Sequence, residues 1–435
     1  MARIRLTYIG AGSTRAPGTI GSIIRHGKAF AGSEVVLWDL VPERLAIVKT
    51  IAERMAAAEG VDMKFTVAKS QREALQGADA VLSSYRPGGF EARRIDERIP
   101  RDMGVIGQET QGPGGFFMAL RAIHVMQSIV KDMEEVCPQA WLVNYTNPIN
   151  IVSQAVTMNS RVKMVSLCEG PIIYPRGLME YVGLDPNKLD SLSIGINHAS
   201  WSVRHLYDGA DVIPLLKRIL EEDRPRKADH PWAAESEMAL RMAVTFESLP
   251  SYYFQYYYFL EESLAKLKKK PTTRSEDILA EMPGYWAHYQ EQAKSERPVL
   301  DPALSRGGIF ELELAIDVID SIFNNLGKLL PVNVVNRGVL DQFPAELVVE
   351  VPGIVDRSGI HPLQQPRLKE SQLELVSALA FYQMAAAKVA WSGSWKEAIG
   401  VLASHPLLRS LPKAESLYRA MAAAHAPYLP SRLVP

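Results

Sequence analysis

Residues 4–13 read IRLTYIGAGS, an apolar run that ends in two glycines separated by one residue. The run of apolar and β-branched side chains predicts a strand, and Gly10 permits a tight turn directly after it. Gly12 allows backbone amides at the start of the following helix to approach a phosphate group. The stretch therefore predicts a dinucleotide-binding turn after the first strand, with Gly10, Gly12 and Ser13 as candidate contacts.

The second predicted strand ends in an acid. Residues 35–38 read VVLW, and Asp39 follows them. A carboxylate at this position accepts hydrogen bonds from a ribose diol and disfavours a 2′-phosphate, which predicts NAD rather than NADP. Arg44, at the start of the next helix, joins the candidate cofactor contacts.

Two kinds of pattern divide the chain. Up to residue 195, short apolar strands alternate with amphipathic helices, which predicts an α/β fold with a Rossmann-type parallel sheet covered on both faces. After residue 200 long helical patterns dominate, at 212–222, 232–244, 257–269, 310–324, 368–392 and 395–403. We therefore predict an NAD-binding domain at 1–195 and a mainly helical domain for catalysis, substrate binding and oligomerisation at 196–435.

Composition excludes several classes of protein. The 435 residues include 48 basic and 49 acidic side chains, a balance that argues against a dedicated nucleic-acid or membrane-surface binder. Two cysteines cannot form a disulfide framework, and they fit a reducing compartment. The longest apolar stretch, 375–387, falls short of the about 18 residues of a membrane span. These features predict a soluble cytoplasmic protein.

Polar stretches follow several of the predicted strands. They lie at residues 85–93, 107–115, 144–148, 168–171 and 195–198, and they are rich in glycine, amides and arginine. In open α/β sheets ligands bind outside the carboxyl ends of the strands. The stretches therefore predict one binding site assembled at that edge of the sheet.

These stretches resemble glycoside hydrolase family 4, the NAD- and divalent-metal-dependent glycosidases, over most of the chain. The resemblance is most specific in the residues 106–110 (IGQET), in Thr146-Asn147-Pro148, in Asn197-His198 and in the tyrosines of 252–258. It implies a 6-phospho-glucosidase-like enzyme that works through redox-assisted elimination. The sugar is oxidised at C3 by NAD, the C1 substituent is eliminated across C1–C2, water adds, and the hydride returns. This family is an exception to the two-carboxylate rule for glycosidases.

The resemblance also assigns a metal site and a base. Cys168 and His198 match the metal ligands, and a thiolate with an imidazole suits Mn²⁺ or another divalent transition metal. Tyr253 matches the base that removes the C2 proton. Without the surrounding motifs, a buried Cys–His pair and an aromatic core stripe are the ordinary interpretations of these side chains.

Glu169 departs from the family pattern. The resemblance implies Asp at this position in 6-phospho-α-glucosidases, Asn in 6-phospho-β-glucosidases and His in enzymes for non-phosphorylated α-galactosides and uronides. A carboxylic acid can protonate a leaving oxygen, so Glu169 is a catalytic candidate. The alternative is that Glu169 orients the metal site, and the anomer of the substrate stays open.

Four further residues are expected to contact the substrate. Arg93, Asn147 and Asn197 match sugar-contacting positions, and Arg274 matches an arginine that holds a 6-phosphate through bidentate hydrogen bonds. Arg274 also fits an ordinary arginine at a surface helix start. The anion at C6 can be a phosphate, a sulfonate or a carboxylate, and a non-phosphorylated α-glycoside is a further alternative.

Two other functions share some of these features. A 2-hydroxyacid dehydrogenase of the lactate/malate type has the same dinucleotide fold, but it needs an Asp–His relay that we do not find beside Cys168 or His198. A catalytically silent NAD-dependent sugar sensor is the other alternative, and the intact Cys168, His198 and Tyr253 argue against it. The resemblance implies a homodimer or homotetramer.

Overall fold

The computed structural model describes residues 1–435, and its strands form one sheet. The strands are β1 (Arg5–Ile9), β2 (Ser33–Trp38), β3 (Met63–Val67), β4 (Ala80–Ser83), β5 (Trp141–Asn144), β6 (Lys163–Ser166), β7 (Leu189–Ile196), β8 (Ala199–Tyr207), β9 (Ala210–Asp211), β10 (Lys328–Val335), β11 (Val348–Asp356) and β12 (Gly359–Pro362). Their order is β3-β2-β1-β4-β5-β6-β10-β11-β7-β8-β9, and β12 pairs with β11.

The helices cover both faces of this sheet. They are α1 (Ala16–Arg25), α2 (Pro42–Ala58), α3 (Gln71–Leu75), α4 (Gly89–Asp102), α5 (Gly112–Val136), α6 (Ile149–Asn159), α7 (Gly170–Tyr181), α8 (Ile213–Glu221), α9 (Ala233–Phe246), α10 (Gln255–Tyr258), α11 (Leu260–Lys269), α12 (Arg274–Gln292), α13 (Glu313–Asn324), α14 (Glu370–Ser392), α15 (Trp395–Ser404) and α16 (Leu411–His425). The predicted Rossmann-type architecture with a helical second half is confirmed.

The first six strands form a parallel half-sheet in the order of a dinucleotide-binding fold. Both of its faces are buried. On β4, Val81 packs into one apolar core and Leu82 into the other. The first core lies under α5, α6 and α14, and the second under α1, α2 and α13. Burial on both faces is why these strands are continuous apolar runs in the sequence.

The sheet continues with antiparallel strands that the sequence analysis did not predict. β10 pairs with β6 at Asn333 and Ser166, and β11 pairs with β10 along its whole length. Pro331 and Pro352 lie opposite each other in that pair. Prolines weaken a strand pattern because they cannot donate to the ladder, which explains the omission. These strands place residues from both halves of the chain in one sheet.

One helix is long and apolar enough to cross a membrane by length and composition alone, α14. In the structure 56% of its apolar window is buried inside the protein. The helix contributes Val376 and Leu379 to one core and Ala386 and Val389 to the other. It is therefore a core helix, as the polar Ser377 and Gln383 within the stretch indicate.

A buried ion cluster fixes α4 against α5 and α16. The Arg121 guanidinium lies 2.6 Å from Asp96 Oδ2, and His425 Nε2 lies 2.9 Å from Asp96 Oδ1, with all three side chains fully buried. The loop that enters α5 lies directly on α4, since a Cβ at Gly107 would lie 1.9 Å from the Glu97 carbonyl oxygen. The positions of α4 and of residues 107–111 are thus coupled.

Candidate active site

The glycine turn after β1 has the geometry that the sequence predicts. Gly10 has a φ of 95°, and a Cβ there would lie 2.1 Å from the Ser84 carbonyl oxygen. The Gly12 amide donates a hydrogen bond of 2.9 Å to Asp39 Oδ2. A side chain at either glycine is therefore excluded, and the acid at the end of β2 lies against the turn.

The groups around this turn fit a dinucleotide. The hydroxyl oxygens of Ser13 and Thr14 are buried without a hydrogen-bond partner at the N-terminal end of α1. Unpaired buried polar atoms at a helix N-terminus suit the pyrophosphate of NAD. Arg44 lies near the start of α2, and its guanidinium lies 5.0 Å from the Trp286 ring centroid.

Cys168 and His198 meet at the edge between the parallel and antiparallel strands. Cys168 follows β6, and His198 occupies the turn between β7 and β8 with a φ of 65°. Cys168 Sγ lies 3.6 Å from His198 Nε2, and Thr110 Oγ1 lies 3.1 Å from His198 Nδ1. The Thr110 contact orients the imidazole so that Nε2 points toward the thiol.

The donor set around this pair fits a divalent transition metal. A thiolate and an imidazole are suitable ligands, and Asn197 Oδ1 is buried without a partner in the same small pocket. The chain has no group of three His, Cys, Asp or Glu side chains that could hold a metal ion by themselves. The pocket, which Glu350 also lines, therefore pairs a thiol with an imidazole, and oxygen atoms of substrate or water would complete the coordination of a cation there.

Burial keeps both donors neutral in the protein alone. It lowers the pKa of His198 to about 3, so the imidazole is unprotonated and able to ligate. Burial, with the nearby Glu350 carboxylate, raises the pKa of the Cys168 thiol to about 12. A bound cation reverses this effect, because a coordinated thiol loses its proton.

Tyr253 lies directly on the imidazole. The two rings are stacked, with 3.7 Å between their centroids and 10° between their planes. Burial, with Cys168 and Glu109 nearby, raises the pKa of Tyr253 above its ordinary value. The phenol is therefore protonated until a cation or a substrate enters the site and stabilises the phenolate.

Glu169 lies on the dinucleotide side of Cys168. The Tyr145 hydroxyl donates a hydrogen bond of 3.2 Å to its carboxylate. Burial and the neighbouring Glu311 carboxylate raise the pKa of Glu169, while Arg15 opposes them. Glu311 itself lies 3.4 Å from Arg15 Nε. A half-buried carboxyl group with a raised pKa is suited to donate a proton.

A cluster of buried charges completes the site. Arg93 Nε lies 2.7 Å from Glu97, and Arg93 Nη1 lies 3.0 Å from Glu109. Arg86 Nη1 lies 2.5 Å from the other oxygen of Glu109. Burial by itself would raise the pKa of Glu109. The guanidinium groups outweigh burial and lower this pKa to about 2. The sequence analysis quoted the stretches that contain Arg86 and Glu109 but assigned them no role.

Two other predicted substrate contacts are Arg274 and Asn147. Arg274 is exposed at the first residue of α12, whereas the next residue, Ser275, donates through its amide and hydroxyl to Glu97. Asn147 is half-buried and precedes a cis proline, Pro148. The structure thus brings Arg93, Cys168, His198 and Tyr253 into one site and leaves Arg274 at its solvent side.

Comparisons with known proteins identify the family of this chain. A model described as family 4 glycosyl hydrolase matches residues 5–184, and one described as the family 4 glycosyl hydrolase C-terminal domain matches residues 193–408. A probable 6-phospho-beta-glucosidase of Bacillus subtilis (strain 168) is 32% identical, covering 98% of this chain and 97% of its own. A 6-phospho-beta-glucosidase of Escherichia coli (strain K12) is 30% identical, covering 99% and 97%.

A solved structure has the same fold over almost the whole chain. It is the 6-phospho-beta glucosidase from Thermotoga maritima with NAD and glucose-6-phosphate, with a TM-score of 0.84 and 25% identity. The match covers 98% of this chain and 99% of that chain. Two family models and full-length relatives at 30% identity or more lead to one conclusion: the chain belongs to glycoside hydrolase family 4.

Proposed function

We propose that this glycosidase hydrolyses a small glycoside that is anionic at C6, a 6-phospho-glucoside, with NAD and Mn²⁺ or a similar divalent metal. The observation that carries the proposal is the stacking of Tyr253 on His198, 3.6 Å from Cys168 Sγ, at the edge of the sheet where the dinucleotide turn also opens. The relatives named above, which act on 6-phospho-β-glucosides by name, support the β anomer.

The reaction requires that the C2 proton becomes acidic. Bound at the glycine turn, NAD would supply this by accepting a hydride from C3 and giving it back at the end, so that no net NADH would form. Cys168 and His198 would hold a divalent cation, which would supply positive charge to stabilise the anion that forms. The side chains of this chain carry out the proton transfers of the reaction.

Tyr253 is the base in this proposal. Its stacking on His198 fixes the phenol beside the metal ligands, where positive charge lowers the cost of the phenolate. The phenolate accepts the C2 proton, the C1–O bond breaks, and Glu169 donates a proton to the leaving oxygen. Water then adds at C1 and gives one proton to the Glu169 carboxylate, and Tyr253 returns its proton to C2.

The placement of the sugar follows from the charged cluster. Arg93 is held by Glu97 and Glu109, so its guanidinium is oriented before a ligand arrives. Together with Asn147 and Asn197 it is proposed to bind the sugar hydroxyls. Arg274, exposed at the start of α12, is proposed to meet the C6 anion from the solvent side.

Three further properties belong to the proposal. We assign the NAD-binding domain to residues 1–195 and the mainly helical catalytic, substrate and oligomerisation domain to 196–435, although Arg93 and Asn147 reach the sugar from the first domain and strands of both parts share the sheet. The assembly is a homodimer or homotetramer, which light scattering measures directly. The protein acts in the cytoplasm, where phosphorylated sugars and reduced thiols are both present.

The test of the function is hydrolysis of four 4-nitrophenyl glucosides, α and β, each with and without a 6-phosphate. With NAD⁺, Mn²⁺ and a reductant present, we expect nitrophenol release from the 6-phospho-β-glucoside and none when NAD⁺ or the metal is omitted. Release from the α anomer would reassign the linkage. Binding of NAD⁺ without release from any substrate would contradict the proposal, and net NADH formation would indicate a dehydrogenase.

Gly12→Ala is expected to weaken NAD⁺ binding by at least about tenfold. The new Cβ would lie 2.7 Å from Asp39 Cγ, so the carboxylate must leave the position from which it accepts a hydrogen bond from the turn. Calorimetric titration with NAD⁺ measures the effect. Gly284→Ala is the matched control, because a Cβ there meets no atom within 4 Å. Equal affinities of the two variants would contradict the assigned turn.

A further inference from the structure

One arginine beside the cluster of buried charges, Arg306, lacks an acidic partner. Arg15, Arg86 and Arg93 each lie within 3.4 Å of a carboxylate oxygen. Arg306, which follows α12, forms no ion pair in the structure, and its guanidinium lies 4.7 Å from the Phe90 ring centroid. Arg86 lies 5.4 Å from the same centroid. The side chains of Arg86 and Arg306 therefore lie against the same aromatic ring, and of the two only Arg86 is paired with a carboxylate.

The surroundings of Arg306 disfavour its charge in the protein alone. Burial, together with the neighbouring Arg15 and Arg86, lowers the pKa of Arg306 to about 9. Glu109 and Glu311 are the nearby acids. The two oxygens of Glu109 are paired with Arg86 and Arg93, and Glu311 lies against Arg15. An anion between these guanidinium groups would satisfy charge that the protein leaves unpaired.

The backbone holds Arg306 next to the dinucleotide turn. Its amide donates to the Tyr289 hydroxyl at 3.3 Å, and that hydroxyl donates to the Thr14 carbonyl oxygen at 2.8 Å. The following loop lies directly on α1, because a Cβ at Gly18 would lie 2.6 Å from the Gly308 carbonyl oxygen. Arg306 is therefore fixed where the dinucleotide turn adjoins the charged cluster.

We infer that Arg306 binds a phosphate group of a ligand in this cleft. The inference rests on the proposed function, which places two phosphate-bearing ligands there, the dinucleotide and the 6-phospho-sugar. The guanidinium fork matches a phosphate in a bidentate manner, and the dianion offsets the repulsion between Arg306 and Arg86. The chemistry is the same for both ligands, so the experiment is designed to tell them apart.

The test compares Arg306→Gln and Arg306→Lys with the wild-type protein by calorimetry. NAD⁺ is titrated into each protein, and then glucose 6-phosphate and glucose are titrated into the NAD-loaded proteins. Loss of one charge-assisted contact is expected to weaken one phosphate ligand by about 10- to 100-fold. Arg306→Lys keeps the charge but loses the fork, so we expect a smaller loss.

The pattern of loss identifies the phosphate. A weaker NAD⁺ affinity assigns Arg306 to the cofactor, whereas a weaker affinity for glucose 6-phosphate with glucose unchanged assigns it to the sugar. Arg367→Gln is the control, since Arg367 forms an exposed pair with Asp341. Unchanged affinities in both Arg306 variants, equal losses for glucose and glucose 6-phosphate, or loss of all ligands with a lowered melting temperature would overturn the inference.

Failure of the proposed function gives a different result. Wild-type protein that binds neither NAD⁺ nor glucose 6-phosphate would contradict the function and with it the inference. Wild-type protein that binds both, together with Arg306 variants that bind them equally well, would contradict the inference alone.

Discussion

Tyr253→Phe is expected to reduce kcat by about 100- to 10,000-fold, the range over which a positioned base accelerates a proton transfer. The substitution removes one oxygen atom and keeps the ring that stacks on His198 at 3.7 Å. The metal ligands are therefore undisturbed, and we expect NAD⁺ and Mn²⁺ affinities to stay within about twofold of the wild type. The loss thus falls on the chemical step.

Two measurements separate this role from a structural one. The first is kcat on the 6-phosphoglucoside, and the second is exchange of the C2 proton with deuterated solvent, which requires the base. Tyr252→Phe is the matched control, because Tyr252 is buried, and its hydroxyl lies 2.8 Å from Ser236 Oγ. If Tyr253→Phe kept its kcat and its C2 exchange, another group would have to be the base.

The parallel half of the sheet could be predicted because its signals are local. Each strand is a short apolar run, and the glycine turn and Asp39 lie at the ends of adjacent strands. The order of the strands follows from the dinucleotide-binding pattern. The six predicted helical patterns after residue 200 are confirmed as well, with ends that shift by a few residues.

The rest of the fold could not be predicted from local patterns. α12 carries Pro283 within its span, which breaks a helical pattern, and the prolines of β10 and β11 weaken a strand pattern. Pairing of β10 with β6 joins residues far apart in the sequence. Such contacts are set by burial in the folded protein.

The same limit applies to the site. The family resemblance pointed to Cys168, His198 and Tyr253, and the structure brings them together. The pairing of Glu109 with Arg86 and Arg93 is a property of packed side chains, so no spacing in the sequence indicated it. Arg274 was selected by its motif alone, and exposure cannot be read from a motif.

Cys168→Ala is expected to weaken Mn²⁺ binding by at least about 100-fold and to abolish hydrolysis. Cys168 and His198 are the two proposed ligands, and the chain has no group of three His, Cys, Asp or Glu side chains that could hold a metal ion, so the variant keeps the His198 imidazole as its only proposed ligand. Loss of a residue that only orients a ligand already costs about 10- to 100-fold in metal affinity, and loss of the ligand itself costs more.

The chain contains its own control for the thiol. Cys137, the other cysteine, is buried at the end of α5, where it behaves as a small apolar side chain. We therefore expect Cys137→Ala to keep the Mn²⁺ affinity and the rate, and Cys168→Ser, which keeps the volume, to lose both. Titration of each chelator-treated protein with Mn²⁺ measures the affinity independently of turnover. An unchanged affinity in Cys168→Ala would place the metal elsewhere, and the stacking of Tyr253 on His198 would then no longer explain how the C2 proton is removed.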